Sequence, residues 1–481
     1  MSSPSARIRA ARRAASRTRS VARAASAASW GSGTTATLAP GRTVTARSHP
    51  GFRPGSPDER QVATARHDQE VRQVPQGKAC RQARQGGREE RHGRPLHAQE
   101  EVSLLSLGIV GTSAKENEHR LPIHPEHLSR LAPEIAARTT LEHGYAAHFG
   151  VSDADLAPYV AGFASREEII TGSDVVVLPK PQHEDVAAMH AGQVLWGWPH
   201  CVQDPEMTQL AIDRQLTLIA FEAMNHWTRD GHVGLHVFHK NNELAGYCSV
   251  LQAMELAGIT GDYGRRLSAV VIGFGATARG AVTALKAHGV SDVAVLTTRG
   301  VAAVGSPIHS VRIRQFDHDP DSPGVSHVIT DRGREPLAAY LAENDIIVNC
   351  TLQDTAAPLT YLQTDEVGAF RQGSLIVDVS CDEGMGFEWA VPTSFDAPMF
   401  TVGDRVHYYA VDHSPSYLWN SATWENSEAL LPFVEKVLSG PSSWDADETL
   451  TRAIEIRDGR ICNPAILAFQ GRSAEHPYLV G

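Results

Sequence analysis

At 481 residues with 42% hydrophobic side chains, the chain is long enough for two or three ordinary domains with cores of their own. No run of about 18 apolar residues occurs, which excludes a membrane-spanning helix by hydropathy. The net charge of −11 is split: residues 1–100 carry 18 Arg and one Lys against seven acids, so the remainder stands at about −23, which argues against nucleic-acid binding by the main body.

The opening hundred residues are rich in Arg, Ala and Ser, and nearly free of Lys and large apolar side chains. That composition predicts a disordered tail. It also suits a transit peptide, lacks the apolar core of a secretory signal, and leaves room for a basic arm on nucleic acid. Structured sequence begins abruptly at "VSLLSLGIVGT", and Val102 can be an initiator read from GUG. Residues 1–101 are therefore expected to be a disordered Arg-rich tail or a mis-called start.

Short strands are predicted at 104–111, 173–181, 192–200 and 216–224, with helices at 123–138 and 204–216. The second helix opens with Asp204 at the cap and Pro205 in the first turn. A long helical pattern runs over 241–258. Strands then alternate with helices: strands at 267–272, 292–297, 345–349 and 374–379, helices at 276–288, 335–343 and 364–370. Such alternation implies a parallel, doubly wound sheet. After Trp389 the chain reads as irregular and aromatic, with an amphipathic helix over about 425–439. Six cysteines (Cys80, Cys201, Cys248, Cys350, Cys381 and Cys462) show no CxxC pair or zinc spacing. They read as free thiols of a reducing cytoplasm. His236 and His239 lack a third ligand at metal spacing, so no metal is assigned.

Gly273, Gly275 and Ala278 form G-x-G-x-x-A between a strand and a helix. The first glycine allows a sharp turn, the second lets the backbone approach a pyrophosphate, and Ala278 allows close helix–strand packing. The helix N-terminus offers N–H groups to phosphate. An NAD site often has an acid at the end of the next strand, on the ribose hydroxyl. Here that end reads Thr297-Thr298-Arg299, 24 residues beyond Gly275 at the arginine. With no acid to repel a 2′-phosphate and a guanidinium to pair with it, NADPH is favoured and NADH admitted. The plain alternative is a surface arginine that accepts either.

Several stretches together resemble the alanine dehydrogenase / pyridine nucleotide transhydrogenase superfamily, and within it N5-(carboxyethyl)ornithine synthase. They are "GTSAKENEHRLPIHPEHL", "VVVLPKP", "WGWPH", "NNELAGYCSVLQAM", "VDVSCDEGMGFE" and "YYAVDHSPSYLWNSAT". The opening departs from the superfamily pattern by one residue fewer between the acid and Arg120. The resemblance covers about 104–440. It implies an α/β fold of two Rossmann-like doubly wound domains with a cleft between them. A substrate domain would span 102–244 and be completed by 386–481, around an NAD(P)-binding domain at 245–385. It implies an oxidoreductase of amino acid metabolism, soluble in the cytoplasm and homo-oligomeric, that joins pyruvate to an amine.

Four polar residues are candidates for that chemistry. Arg120 offers a guanidinium fork for a carboxylate; its plain alternative is a surface arginine paired with Glu116 or Glu118. Lys180, between two prolines at a strand end, would hold the carboxylate or polarise a carbonyl or imine; otherwise it is an exposed lysine. His200, after Trp196, Trp198 and Pro199, suits general acid–base work, or is a hydrogen-bonded core histidine. Asp382 follows an apolar strand, and the resemblance places it near the nicotinamide ribose. Glu383 could meet a cationic amine, while Asp378 and Glu388 read as structural. Tyr408, Tyr409, Tyr417 and Trp419 are expected in the cleft or at an interface. Alanine dehydrogenase is the main alternative activity, a saccharopine-type dehydrogenase a more distant one, and a non-catalytic nucleotide-binding redox sensor the alternative from another class.

Overall fold

The computed structural model describes residues 104–299, 308–319, 322–351, 353 and 358–479. The expectations for residues 1–101 lie outside them. Short runs of Val, Leu and Ile bounded by turn residues form buried strands. β1 (Leu107–Ile109), β2 (Thr139–Glu142), β3 (Gly162–Ala164), β4 (Val175–Val177), β5 (Val194–Gly197) and β6 (Thr217–Ala220) lie side by side in the order 3-2-1-4-5-6. All these pairings are parallel, with Gly108 between Thr140 and Val176. A hairpin, β7 (Asn225–Trp227) and β8 (Val233–His236), leads into helix α1 (His239–Leu256).

The second sheet repeats the arrangement. Its parallel strands β9 (Ser268–Ile272), β10 (Asp292–Thr297) and β11 (Arg312–Asp319) are bordered by antiparallel β12 (Ser322–Thr330) and β13 (Gly333–Pro336). On the other side come β14 (Ile346–Asn349), then β16 (Ser374–Asp378); a small pair outside the sheet is made by β15 (Thr360–Leu362) and β17 (Gly386–Phe387). The far edge is an antiparallel pair, β18 (Met399–Val402) and β19 (Val406–Tyr409), with β19 parallel to β16. Taken as β9, β10, β11, β14, β16 and β19, the parallel strands again run 3-2-1-4-5-6. The order reverses between β1 and β4 in one sheet and between β9 and β14 in the other. Ligand crevices of doubly wound sheets open at the carboxyl ends of strands beside such reversals.

Both faces of each sheet are covered, which is why the strands read as unbroken apolar runs. Ile109, Val175, Val177 and Trp196 enter one core and Val176, Leu195 and Leu218 the opposite one. In the second sheet Val271, Val295 and Val348 alternate in the same way with Val270, Leu296 and Ile347. Helix α2 (Ala276–Ala287) follows β9 and lies against α1 at very close range. A Cβ on Gly246 would stand 1.9 Å from the Thr277 carbonyl oxygen, and one on Gly280 would stand 1.7 Å from that of Glu243. The two helices touch backbone to backbone, and no side chain fits between them.

The chain then returns to the first sheet. Helix α3 (Trp419–Leu438) delivers Leu430, Phe433, Val434 and Val437 to the core beneath β1 and β4. Strand β20 (Ile454–Arg457) pairs antiparallel with β6, and β21 (Arg460–Ile461) closes that edge.

Three expectations need correction. The helix predicted over 123–138 is two short turns, Pro125–Arg130 and Pro133–Ala136, because Pro133 offers no N–H to continue the first. The stretch after Trp389 is not irregular: β18 and β19 extend the second sheet to Tyr409, well past residue 385. The helix expected at 425–439 begins earlier, at Trp419, with Pro432 inside it. Among the described residues, Cys201, Cys248, Cys350, Cys381 and Cys462 are free thiols, and no helix is long and apolar enough to cross a membrane.

Replacing Gly280 by Ala should destabilise the chain by about 1–3 kcal/mol, because the obstructing atom is a main-chain oxygen. Urea unfolding checks this; a midpoint equal to wild type would refute the backbone contact.

Candidate active site

Three carboxyl strand ends of the first sheet meet at one place. Lys180 stands three residues past β4, His200 three past β5 and Glu222 two past β6. The loops after β4 and β5 stay zipped, Leu178 N–H donating to the Trp196 carbonyl (3.2 Å) and Trp198 N–H to that of Pro179 (3.0 Å). This holds Lys180 Nζ 3.0 Å from His200 Nε2. His200 has a left-handed φ of 50°, and its N–H donates to Glu222 Oε1 at 2.7 Å. Non-glycine residues in this conformation concentrate at functional sites, where the surroundings hold them. The Trp198 indole joins the group, with the Arg120 guanidinium 5.5 Å and Lys180 Nζ 6.0 Å from its ring centre.

Arg120 is not a surface residue. Its Nε donates to Glu118 Oε1 (2.8 Å), one Nη donates to Glu118 Oε2, and the other donates to Asn241 Oδ1 of α1 (3.2 Å). The pairing with Glu118 named as the plain alternative is therefore present, but buried. Three of the five guanidinium N–H groups are engaged, which leaves about two for another acceptor. Burial would raise the Glu118 carboxyl, but the Arg120 charge and hydrogen bonds bring it down to about 2.

His200 keeps 47% of its side chain accessible, yet the protein around it strips away much of its hydration. That desolvation, with the Lys180 charge next, lowers its pKa to about 3. Burial likewise lowers Lys180, followed by repulsion from Arg120. Near neutrality His200 is uncharged, so its Nε2 accepts from Lys180 and its proton resides on Nδ1, 3.8 Å from Glu222 Oε1. Behind it, burial raises the carboxyls of Glu222 and Glu455, repulsion from Glu455 adds to the rise at Glu222, and each has a buried oxygen without a partner among the described residues.

Asp382 lies on the loop after β16, half-buried, its pKa raised by desolvation. It makes no side-chain hydrogen bond to Arg120, Lys180 or His200. The preceding residue, Cys381, is left-handed (φ 46°) and lies within electrostatic reach of Lys180 and Asp412. Asp378 is structural: Asn349 Nδ2, Cys381 N–H and the Tyr408 hydroxyl all donate to it. Glu388 accepts from Thr364 N–H at the surface, and Glu383 is exposed. Of the four aromatics, Tyr408 and Tyr409 are wholly buried in the second sheet, whereas Tyr417 and Trp419 line a cavity. His236 and His239 hydrogen-bond to main-chain carbonyls.

The glycine loop has the form a dinucleotide requires. Gly273 has φ +111°, and a Cβ there would lie 2.9 Å from the Cys350 carbonyl oxygen. Gly275 caps α2, and a Cβ there would meet no atom within 4 Å, so the backbone faces open space. Gly275, at the cap, has no side chain to offer the first N–H groups of α2. Ala278 is fully buried in the core under β9. Thr297 is buried and accepts from Arg299 N–H (3.1 Å), while Thr298 and Arg299 are exposed at the end of β10. The residues present fit a nicotinamide dinucleotide.

Sequence reasoning missed Glu222 and Asp412. Glu222 occupies the same strand-end position as Lys180 and His200, a signal that was available in "LTLIAFEAM". Asp412 receives Lys115 Nζ at 2.7 Å and His413 Nδ1; these bonds hold its carboxyl well below the usual range despite burial. No spacing in the sequence announces a pair 297 residues apart.

Comparison with known proteins agrees with this geometry. Residues 109–245 match the Alanine dehydrogenase/PNT N-terminal domain and 252–464 the Alanine dehydrogenase/PNT C-terminal domain. The chain belongs to the alanine dehydrogenase/PNT family, and is an NAD(P)-dependent oxidoreductase acting on CH–NH or CH–NH2 groups. Relatives include the alanine dehydrogenase of Halomonas elongata, 25% identical over 77% of this chain and 99% of that protein. Another is the N(5)-(carboxyethyl)ornithine synthase of Clostridium botulinum, 24% identical over 65% of this chain and 89% of that protein. Among solved structures, an L-alanine dehydrogenase shares the fold with a TM-score of 0.61 at 21% identity, covering 76% of this chain and 99% of that one. A transhydrogenase from Sinorhizobium meliloti follows at 0.56 and 18%, covering 74% and 99%. Every relative named here is catalytic or a transhydrogenase, so the sensor reading gains no support.

Two outcomes are expected. The His200 ring resonances should stay at their neutral position down to about pH 5, where an ordinary histidine of pKa about 6.5 is already protonated. A group with a depressed folded pKa contributes stability above its unfolded pKa, here about 6.5, and loses it as pH falls toward 3. A proton NMR titration decides, and a midpoint above 6 would refute the desolvation of His200 and, after it, the effect of the Lys180 charge. Gly275→Ala should leave the unfolding midpoint unchanged and weaken cofactor binding at least tenfold, read by cofactor fluorescence.

Proposed function

We propose that the chain reductively condenses pyruvate with the amino group of an amino acid, in the manner of N5-(carboxyethyl)ornithine synthase, with NADPH preferred. The observation that carries the chemistry is the 3.0 Å contact between Lys180 Nζ and His200 Nε2, beside a buried guanidinium. The unengaged N–H groups of Arg120 and the Lys180 ammonium hold the carboxylate of the 2-oxo acid. Pyruvate and the amine form an imine with loss of water, and Lys180 and His200 carry the protons of that exchange. When bound, the nicotinamide supplies hydride to the imine carbon. Asp382 brings a carboxylate from the other sheet to offset the iminium charge. Glu222 anchors the His200 main chain and faces its Nδ1, fixing the ring.

An organic amine is preferred to ammonia because the segment "YYAVDHSPSYLWNSAT" resembles the synthase, and its Asp412 adds a carboxylate within electrostatic reach of Lys180 and His200. Alanine dehydrogenase is the second reading, favoured by the relative from Halomonas elongata and its coverage. NADPH rests on Arg299 and the absence of an acid at Thr297 and Thr298. A reducing cytoplasm, as the free thiols suit, and a homo-oligomer complete the reading.

NADPH oxidation should occur when the protein meets pyruvate with ornithine or lysine, and not with ammonia. Oxidation with ammonia alone would establish the alanine dehydrogenase reading. NADH used in place of NADPH would refute the role given to Arg299.

A further inference from the structure

A cavity of about 730 Å³ lies against the same segments that carry the active-site residues. Its wall includes Glu116 from the loop leading to Arg120, Phe395 and Asp396 from the segment before β18, and Ser416, Tyr417 and Trp419 before and at the start of α3. The volume falls within the range of small-molecule sites.

The chemistry of the wall is one-sided. Glu116 and Asp396 are its carboxylates, and among the described residues no Lys or Arg lines it. The nearby Lys115 is turned to Asp412. His119, also on the wall, is held toward its neutral form by burial and by His148. Phe395, Tyr417 and Trp419 add aromatic surface, which attracts an organic cation. Behind Tyr417, whose hydroxyl donates to it, lies the further carboxylate of Glu255.

An independent observation points to a ligand. Ser416 lines the cavity and is completely buried, yet its Oγ has no hydrogen-bond partner among the described residues. A buried hydroxyl left unpaired is unfavourable, so a partner supplied by a bound molecule would relieve it. Connection to the catalytic group runs through His413, which donates to the Glu116 carbonyl, and its neighbour Asp412, whose charge acts on Lys180 and His200.

We propose that this cavity binds the non-reacting ammonium group of a diamino acid substrate, held by Glu116 and Asp396 and met by the Ser416 hydroxyl. The inference rests on the function proposed above and assigns the residues that select the amine. Glu116 and Asp396 come from segments flanking different sheets and are already joined, Asp396 N–H donating to Glu116 Oε1. A bound cation therefore tightens an existing bridge.

The test is calorimetric titration of L-ornithine into the full chain with NADP+ present, together with steady-state kinetics. The double variant Glu116→Gln/Asp396→Asn should bind ornithine at least tenfold more weakly, and its KM for ornithine should rise in step while that for pyruvate does not. Ser416→Ala removes an unpaired hydroxyl, so it should not lower the unfolding midpoint while binding ornithine several-fold more weakly. Unchanged affinity in both variants overturns the proposal, as does an absence of ornithine binding to wild type. If wild type turns over ammonia alone, the proposed function fails, and the titration still decides the cavity: ornithine heat that is lost in the double variant supports a site for cationic amines.

Discussion

The contact on which the rest of the molecule depends is the one between α1 and α2, where Gly246 and Gly280 let two main chains touch. Along its length α1 serves four purposes. Asn241 near its start receives an Nη of Arg120, and Gly246 seats α2. Gln252 accepts the Tyr409 hydroxyl from the second sheet, and Glu255 near its end accepts that of Tyr417. The same rod thus sets the dinucleotide loop, the buried guanidinium and the far wall of the cavity. A shift of α1 along its axis would disturb all of them together, because its side chains reach partners in both sheets.

The charges at the candidate active site follow a common rule: water is removed until a partner is needed. Arg120 and Glu118 are both buried and satisfy each other, an arrangement in which loss of either member is far costlier than loss of both. Lys180 has no carboxylate partner in hydrogen-bonding contact and instead donates to a histidine that desolvation keeps neutral. The result is a proton donor and a proton acceptor in contact, with no carboxylate among the described residues hydrogen-bonded to Lys180 to balance a proton held between them. An anionic substrate carboxylate would complete that balance.

Much of this was legible in the sequence. Strands such as "VVI" and "VVVL" stood out because both faces are buried and every position is apolar. Lys180 and His200 could be found because a polar residue directly after such a run lies at a strand's carboxyl end. What escaped notice had physical reasons. The strand Thr139–Glu142 has a single apolar residue, Leu141, and its Glu142 turns to the N–H groups of Gly111 and Thr112. The charged β11 lies toward an edge where Arg312, Arg314 and Asp317 pair with acids and bases of neighbouring segments, so no apolar period marks it. Glu118 was one of two acids offered for Arg120, and only in a surface reading; the burial of Arg120 was not legible, since the guanidinium also reaches Asn241 of α1, 121 residues away.

The antiparallel pairing of β20 with β6 has a consequence for how the molecule comes into being. Thr217 and Asp458, hydrogen-bonded to each other across that edge, are 241 residues apart in the chain. While the polypeptide is being synthesised, β6 must wait with an unsatisfied row of main-chain groups until the whole second sheet has been made. Such exposed edges invite pairing with other chains, and contacts between distant residues slow assembly. The nascent chain thus carries an open, adhesive border through about half of its production, and the second sheet is made while the first remains unfinished.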